Sequence, residues 1–324
     1  MTIFTVNKTI NKTIYQAFGL HFDSEILLPE LLQRQDTQEA DVNIEIQDLS
    51  EWRSVVNTRE NNFTMQSIGF MFEIPNTALF CIQDGKRIGI HPFPDADMDK
   101  IRLYVLGTCM GVLLLQRGIL PLHGSAVVIN NKAYAFVGES GAGKSTLAST
   151  FVQSGFQLLS DDVIAVSYEN GEPVVHPAYP QQKLWKESLD LFGMSEDQFK
   201  PLHDEVSKFA IPVTKHFHNK TVPLAGVFEL VKMDSEYVAM REMNRLERLH
   251  AMMLHTYRGA LIPRLGLKQW HFSSAAALAG ELFALQILRP TTGFTAPELM
   301  NQIMRKIYQE EMQGDTIYST EHFN

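Results

Sequence analysis

Cysteine is almost missing from this chain: 324 residues contain two, Cys81 and Cys109. Neither sits in a C-x-x-C pair or in a Cys/His cluster with zinc spacing, which excludes a disulfide framework and a structural zinc site. Basic charge is also in short supply, with 28 Lys and Arg against 37 Asp and Glu and a net charge of -9. Duplex nucleic acid is held by basic surface that displaces phosphate counterions, so no nucleic-acid partner is expected and any nucleotide must be held by a local site. Long apolar runs are lacking too. The most apolar stretch, LYVLGTCMGVLLLQRGIL, is bracketed by Arg102 and Arg117 and falls short of the roughly 18 to 20 uninterrupted residues that a membrane span needs. It reads as a buried helix over Asp97 to Arg117, in which Gly107 and Gly111, one turn apart, let a neighbouring element come close. The amino terminus, MTIFTVNKTINKTIYQ, has no apolar run of the kind a secretion signal needs, so a cytoplasmic protein is expected. The sequons at Asn7 and Asn11 then carry no glycan and belong to a small repeat, NKTINKTI, leading into a first strand.

A hydrophobic fraction of 45% and a charged fraction of 20% are ordinary for a globular chain. At about 150 residues per domain the length suggests two domains. Up to about Pro92 short alternating segments such as DVNIEIQDL and ALFCIQDGKRIGIHP are punctuated by turn residues, which predicts an antiparallel, mainly β amino-terminal domain over residues 1–96. Residues 97–324 are expected to form a nucleotide-binding catalytic domain. There SAVVI, KAYAFV and FQLLSDDVIAV read as strands, and KSTLASTFVQSG between the last two reads as a helix stopping at Gly155. In the last third GVFELVKM and YVAMREM read as strands, and RLERLHAMMLHTY and SSAAALAGELFALQILR as amphipathic helices. A polar tail from about Gln309 is expected to be loose.

The segment GESGAGKST fits G-x-x-x-x-G-K-[ST] in full, through Gly138, Gly143, Lys144 and Ser145. Glycines let backbone amides turn inward around phosphate oxygens, and a helix starting near Lys144 adds its free amides and its positive dipole end. Gly138, Glu139, Ser140, Gly141, Ala142, Gly143, Lys144, Ser145 and Thr146 are therefore the candidate nucleotide-binding residues, with Lys144 reaching the β- and γ-phosphates and the Ser145 hydroxyl on Mg2+. Asp161 and Asp162 are expected to close the next strand, at its end nearest this loop if the sheet is parallel. One carboxylate can bind Mg2+ and the other can accept a proton from an attacking hydroxyl, a division of labour that a hydrolase or switch protein does not require. His123, followed by Gly124, precedes both elements, and an imidazole beside a catalytic carboxylate can orient it and tune its pKa.

The order His-Gly, then the glycine-rich loop, then Asp-Asp resembles the catalytic domain of the HPr kinase/phosphorylase family. Lys144 follows His123 by 21 residues and Asp161 follows Lys144 by 17, in agreement with that resemblance. It implies a phosphate-loop α/β core related to phosphoenolpyruvate carboxykinase, ATP and Mg2+ as cofactors, and an often hexameric assembly, so a homo-oligomer. It also implies Asp161 as the acceptor of the substrate serine proton, His123 as its support, Lys144 and Ser145 on phosphate and metal, and Asp162 assisting at the metal. The chain departs from the bacterial HPr kinases after Asp162, where their Glu-Ile-Arg-Gly-x-Gly stretch has no match and VVHPAYPQQKLWKES stands instead.

Three segments, YQAFGLHFDSEILLPEL, LGTCMGVLLLQRGILPLHGSAV and HPAYPQQKLW, are similar to the HPr-kinase-like proteins of lasso peptide gene clusters. That narrower resemblance implies a peptide serine kinase acting on the carboxy-terminal serine of a linear precursor peptide. The alternatives are a kinase or phosphorylase acting on HPr, and a non-catalytic, ATP-gated module that delivers a peptide. Arg258, Arg264 and Arg289 are candidates for neutralising transferred phosphate or holding a peptide carboxylate. His176, Tyr179, Lys183 and Trp185 are candidates for lining the acceptor site. His216 and His218, without a carboxylate or cysteine companion, are expected on one exposed strand face.

Overall fold

The computed structural model describes residues 13–35, 39–56, 63–202 and 205–320. The sequons at Asn7 and Asn11 lie outside them. The chain is mixed α/β and builds three sheets.

The first sheet has eight strands: β1 (Thr13–Ala17), β2 (Leu20–Ser24), β3 (Leu32–Gln33), β4 (Val42–Ile46), β5 (Phe63–Gln66), β6 (Gly69–Ile74), β7 (Ala78–Gln83) and β8 (Arg87–Pro92), in the order β3-β1-β2-β4-β8-β7-β6-β5. It is not wholly antiparallel, since β2 pairs with β4 and β4 with β8 in parallel. After β4 a short helix, α1 (Arg53–Val56), leads to β5 at the far edge of the sheet, and β6, β7 and β8 bring the chain back beside β4, a crossover of the kind that parallel neighbours need and hairpins do not.

The apolar helix forms as α2 (Met98–Tyr104) and α3 (Met110–Gln116), joined by a π-turn at Val105–Cys109. Asp97 caps it by accepting from the Asp99 amide. Its buried residues, among them Ile101, Val105, Met110 and Leu113, share one core cluster with Phe22, Phe72 and Phe80 of the first sheet. Val163, Tyr179 and Tyr257 from later in the chain join the same cluster. Gly111 is where Tyr257 packs, an added Cβ there standing 2.8 Å from its ring. Among the described residues, no helix is long and apolar enough to cross a membrane.

Seven strands follow in the second sheet: β9 (Leu120–Ile129), β10 (Lys132–Gly138), β11 (Gln157–Glu169), β12 (Glu172–His176), β16 (Val222–Met233), β17 (Ala239–Glu242) and β18 (Phe283–Pro290). Between them β13 (Gln181–Trp185), β14 (Lys200–Leu202) and β15 (Glu205–Pro212) make the third sheet. In the second sheet β17, β18, β16, β10, β9, β11 and β12 lie side by side, and β12 also meets the first residues of β16. Two-residue turns with positive φ at both positions, Asn130-Asn131 and Asn170-Gly171, close the β9–β10 and β11–β12 hairpins. One face packs on α6 (Arg245–Leu254) and α7 (Lys268–Glu281), and the other on α4 (Lys144–Gln153) and α8 (Ala296–Thr320). A short helix, α5 (Lys186–Leu191), covers the third sheet.

Two further expectations change. SSAAALAGELFALQILR is not one helix: the Ala-rich half ends as α7 at Glu281 and the remainder is β18, parallel to β16. The tail beyond Gln309 continues as α8 to Thr320.

Candidate functional site

The glycine-rich loop joins the end of β10 to the start of α4. Gly138, Gly141 and Gly143 all have positive φ, at 146°, 76° and 97°, so an L side chain at any of them would strain the turn. The Lys144 ammonium donates to the carbonyl oxygens of Gly138 at 2.8 Å and Glu139 at 2.9 Å. Burial lowers its pKa, and the nearby Asp161 and Asp162 oppose that shift. Thr146 exchanges a hydrogen bond of 2.8 Å with Ser188 of α5, tying the loop side of α4 to the third sheet's helix.

Asp161 and Asp162 do not end their strand. β11 runs on to Glu169, and the pair lies mid-strand, opposite Ser125 and Gly124 of β9. Gly124 in turn pairs with Val137 at the end of β10, so the acids stand level with the glycine-rich loop. β11 is antiparallel to the intervening β9, and β9 is antiparallel to β10, which sets β11 and β10 running the same way. Glycine is required next to His123 because a Cβ at Gly124 would meet the Phe136 carbonyl oxygen at 2.2 Å.

The two carboxylates have different surroundings. Asp161 is buried and accepts from the Ser125 hydroxyl at 2.5 Å and the Lys183 amide at 2.7 Å. Burial pushes its pKa up; those bonds and one from the Ser145 hydroxyl hold it down in part, while Asp162 adds to the rise. Asp162, more open, has a left-handed backbone with φ of 73° and takes the Lys183 ammonium at 2.6 Å. Burial would raise it, but Lys183 and His123 overturn that and leave it well below the usual carboxylate range. Lys183 is held well above the usual lysine value, since Asp162 outweighs its desolvation.

His123 Nδ1 lies 3.0 Å from the Asp162 backbone oxygen and 3.5 Å from its carboxylate. A carbonyl oxygen only accepts, so Nδ1 carries the proton and Nε2 keeps its lone pair. Burial lowers the pKa of this imidazole, with Asp162 opposing. Its backbone amide donates to the His255 carbonyl at 2.7 Å. Behind it His255 Nε2 pairs with Glu229 at 2.9 Å, and Gln286 donates to the other Glu229 oxygen at 2.7 Å. Sequence reading missed Glu229 and His255, which lie in ordinary strand and helix text without a motif.

Two cavities meet at this point. One, of about 600 Å³, is lined by Gly143, Lys144, Ser145, Asp161, Trp185 and Arg289. The other, of about 900 Å³, starts at Gly138 and Glu139 of the glycine-rich loop and is walled by Tyr104 and Thr108 of the interrupted helix and by Tyr257 and Arg258. His123, Asp162, Lys183 and Lys208 line both. Of the three candidate arginines, Arg258 lines the larger cavity and Arg289 the smaller, whereas Arg264 lies over the Phe63 ring. Lys183 and Trp185 line the site; His176 instead bonds Ser167 and Thr221, and Tyr179 packs edge-on against Phe18. His216 ends a 3-10 turn and His218 contacts Gln157, so the two do not share a strand face.

Among the described residues, no group of three or more His, Cys, Asp or Glu gathers to hold a metal. The oxygen donors beside the loop, the Ser145 hydroxyl and the Asp161 and Asp162 carboxylates, suit Mg2+, which takes one or two protein ligands and completes its shell with phosphate and water.

No family model matches the chain. It is 38% identical over 71 residues to the HPr kinase/phosphorylase of Mycoplasmopsis pulmonis (strain UAB CTIP), a match covering 21% of this chain and 23% of that protein. The matched segment thus spans about a quarter of the length of that curated relative. Among solved structures, the HPr(Ser) kinase/phosphatase from Coxiella burnetii aligns with a TM-score of 0.34 and 17% identity, covering 63% of this chain and 99% of that one.

Proposed function

We propose that this chain is an ATP-dependent serine kinase acting on a peptide, specifically on the carboxy-terminal serine of a linear lasso-type precursor. The observation that carries the reading is the junction of two cavities at Asp162: both border the glycine-rich loop, the smaller along Lys144 and Ser145, while the larger leads away from the loop to Tyr104, Thr108 and Arg258 and is the space for an acceptor chain in this reading. A transferase needs both a donor and an acceptor site, and phosphoryl transfer asks mainly for positioning and charge stabilisation where they meet. In this reading residues 1–96 form the mainly β unit, and residues 97–324 carry the phosphate-loop core.

The loop amides from Gly138 to Thr146 and Lys144 hold the phosphates. Ser145 and Asp161 would hold Mg2+, which would supply neutralisation of the phosphate charge. Asp162 orients the acceptor hydroxyl, with Lys183 and His123 fixing its carboxylate. This exchanges the roles of the two acids relative to those implied by the family resemblance. The reason is access: Asp161 is buried among three donors, whereas Asp162 borders both cavities. His123, with Nε2 unprotonated, is the group to take up the proton as it leaves.

The matched segment of the Mycoplasmopsis protein supports a second reading, phosphorylation of an HPr-type carrier protein. One experiment separates the two: incubation with Mg-ATP and either precursor peptides ending in serine or HPr, followed by tandem mass spectrometry to locate phosphate. Phosphate on the terminal serine supports the first reading and phosphate on HPr the second. Neither product, with ATP still bound, leaves a non-catalytic binding module.

A further inference from the structure

Two cations stand beside the glycine-rich loop that neither the motif nor the aspartate pair explains. β16 and β18 run parallel with Lys232 opposite Arg289, so the two side chains are cross-strand neighbours. Both line the smaller cavity together with Lys144 and Ser145. An added Cβ at Gly143 would stand 2.6 Å from Arg289 Nη1, and one at Gly141 would stand 3.6 Å from Lys232 Nζ. The cations therefore flank the turn itself.

Like charges placed directly opposite repel. Among the described residues, no carboxylate offsets the charge on Arg289: burial alone depresses its pKa, and its Nε is buried without a hydrogen-bond partner. Its Nη1 donates to the Ala142 carbonyl at 2.9 Å, which fixes the guanidinium against the loop. Guanidinium and ammonium groups gathered at a turn rich in inward-facing amides make an anion site. The same cavity continues past Arg289 to Thr291, Phe294 and Thr295, a wall with hydroxyl groups and one aromatic face.

We propose that Lys232 and Arg289 form a subsite for the α-phosphate of a nucleoside di- or triphosphate, with the nucleoside lying toward Phe294. The inference rests on the nucleotide-binding reading above and adds to it which end of the phosphate chain each group of residues holds. Lys144 and Ser145 take the terminal phosphates, and the Lys232/Arg289 pair takes the phosphate esterified to the nucleoside.

Titration calorimetry of the full chain with Mg-ATP, Mg-ADP and Mg-pyrophosphate tests it, using Lys232→Ala, Arg289→Ala and Arg289→Lys. Pyrophosphate fills the terminal positions without an esterified phosphate. Both alanine variants should lose about tenfold or more in affinity for ATP and ADP while pyrophosphate binding changes less than about twofold, and Arg289→Lys should recover part of the loss. Equal losses for all three ligands would mean that Arg289 only braces the loop through Ala142, and unchanged affinities would mean that the cations touch no phosphate; either overturns the subsite. The exposed Lys232 gives a variant whose fold is not at risk, so the result does not depend on Arg289→Ala alone. A wild-type chain that binds none of the three removes the nucleotide reading itself, a distinct outcome.

Discussion

The side chain of Lys183 grips Asp162 at 2.6 Å from a strand of a different sheet. The amide of the same lysine donates to Asp161 at 2.7 Å. One residue of β13 thereby holds both acids of β11. Replacing Lys183 with methionine should leave a mostly buried carboxylate without its cation and destabilise the fold by about 3 kcal/mol or more. Urea denaturation measures this. Loss of the cation also raises the Asp162 pKa toward the ordinary carboxylate range, so the acid limb of any kinase pH profile should move to higher pH.

Asp162→Asn should reduce the rate of phosphoryl transfer by about a hundredfold or more while nucleotide affinity stays within about threefold. Asparagine adopts the left-handed conformation readily, which keeps the backbone in place. Asp161→Asn should behave differently, because an amide NH2 would confront hydrogen-bond donors: a loss of about 1–3 kcal/mol in stability and weaker Mg-nucleotide binding. Single-turnover rates and nucleotide titrations on the two variants distinguish them. Equal behaviour would undo the division of roles proposed for the pair.

Gly124→Ala should destabilise the chain by about 3 kcal/mol, since its methyl meets backbone rather than a movable side chain. Thermal and urea unfolding check this. The contrasting change at Gly155, where an added Cβ has nothing within 4 Å, meets no such contact, although its φ of 95° strains any L residue.

Acid should weaken the fold before the carboxylates titrate. Burial depresses His176 and His271 below the ordinary histidine value of 6.5, so the unfolded chain takes up protons first. The stability from these neutral imidazoles is complete above that value and is lost as pH falls through the depressed folded-state values. Urea midpoints at pH 7.5 and 5.5 should differ more for the wild type than for the double variant His176→Gln, His271→Gln. An identical pH dependence in both proteins would refute this assignment.

The glycine-rich loop, the aspartate pair and His123 were legible because each is local: a turn that demands glycine, or neighbours in one strand. Lys183 was legible only as a candidate wall residue, since its grip on both acids depends on how the third sheet lies over β11. Glu229 and His255, which back His123, come from β16 and the end of α6 and have no spacing that ties them together. The FALQILR segment read as helix because a continuous apolar run fits a buried helix and a buried strand alike. Its fate was settled by pairing with β16, a long-range fact. The parallel pairings of β4 were hidden for the same reason, as alternation marks a strand but not its neighbour.

In a regular strand, successive side chains leave by opposite sides, so adjacent residues seldom serve one compartment. The unusual torsion at Asp162 breaks that rule and lets consecutive acids border a common space. A valine or isoleucine at this position would do more than remove a charge: its branched carbon resists the torsion, the ribbon would relax to its ordinary alternation, and the neighbouring imidazole would lose the carbonyl it leans on.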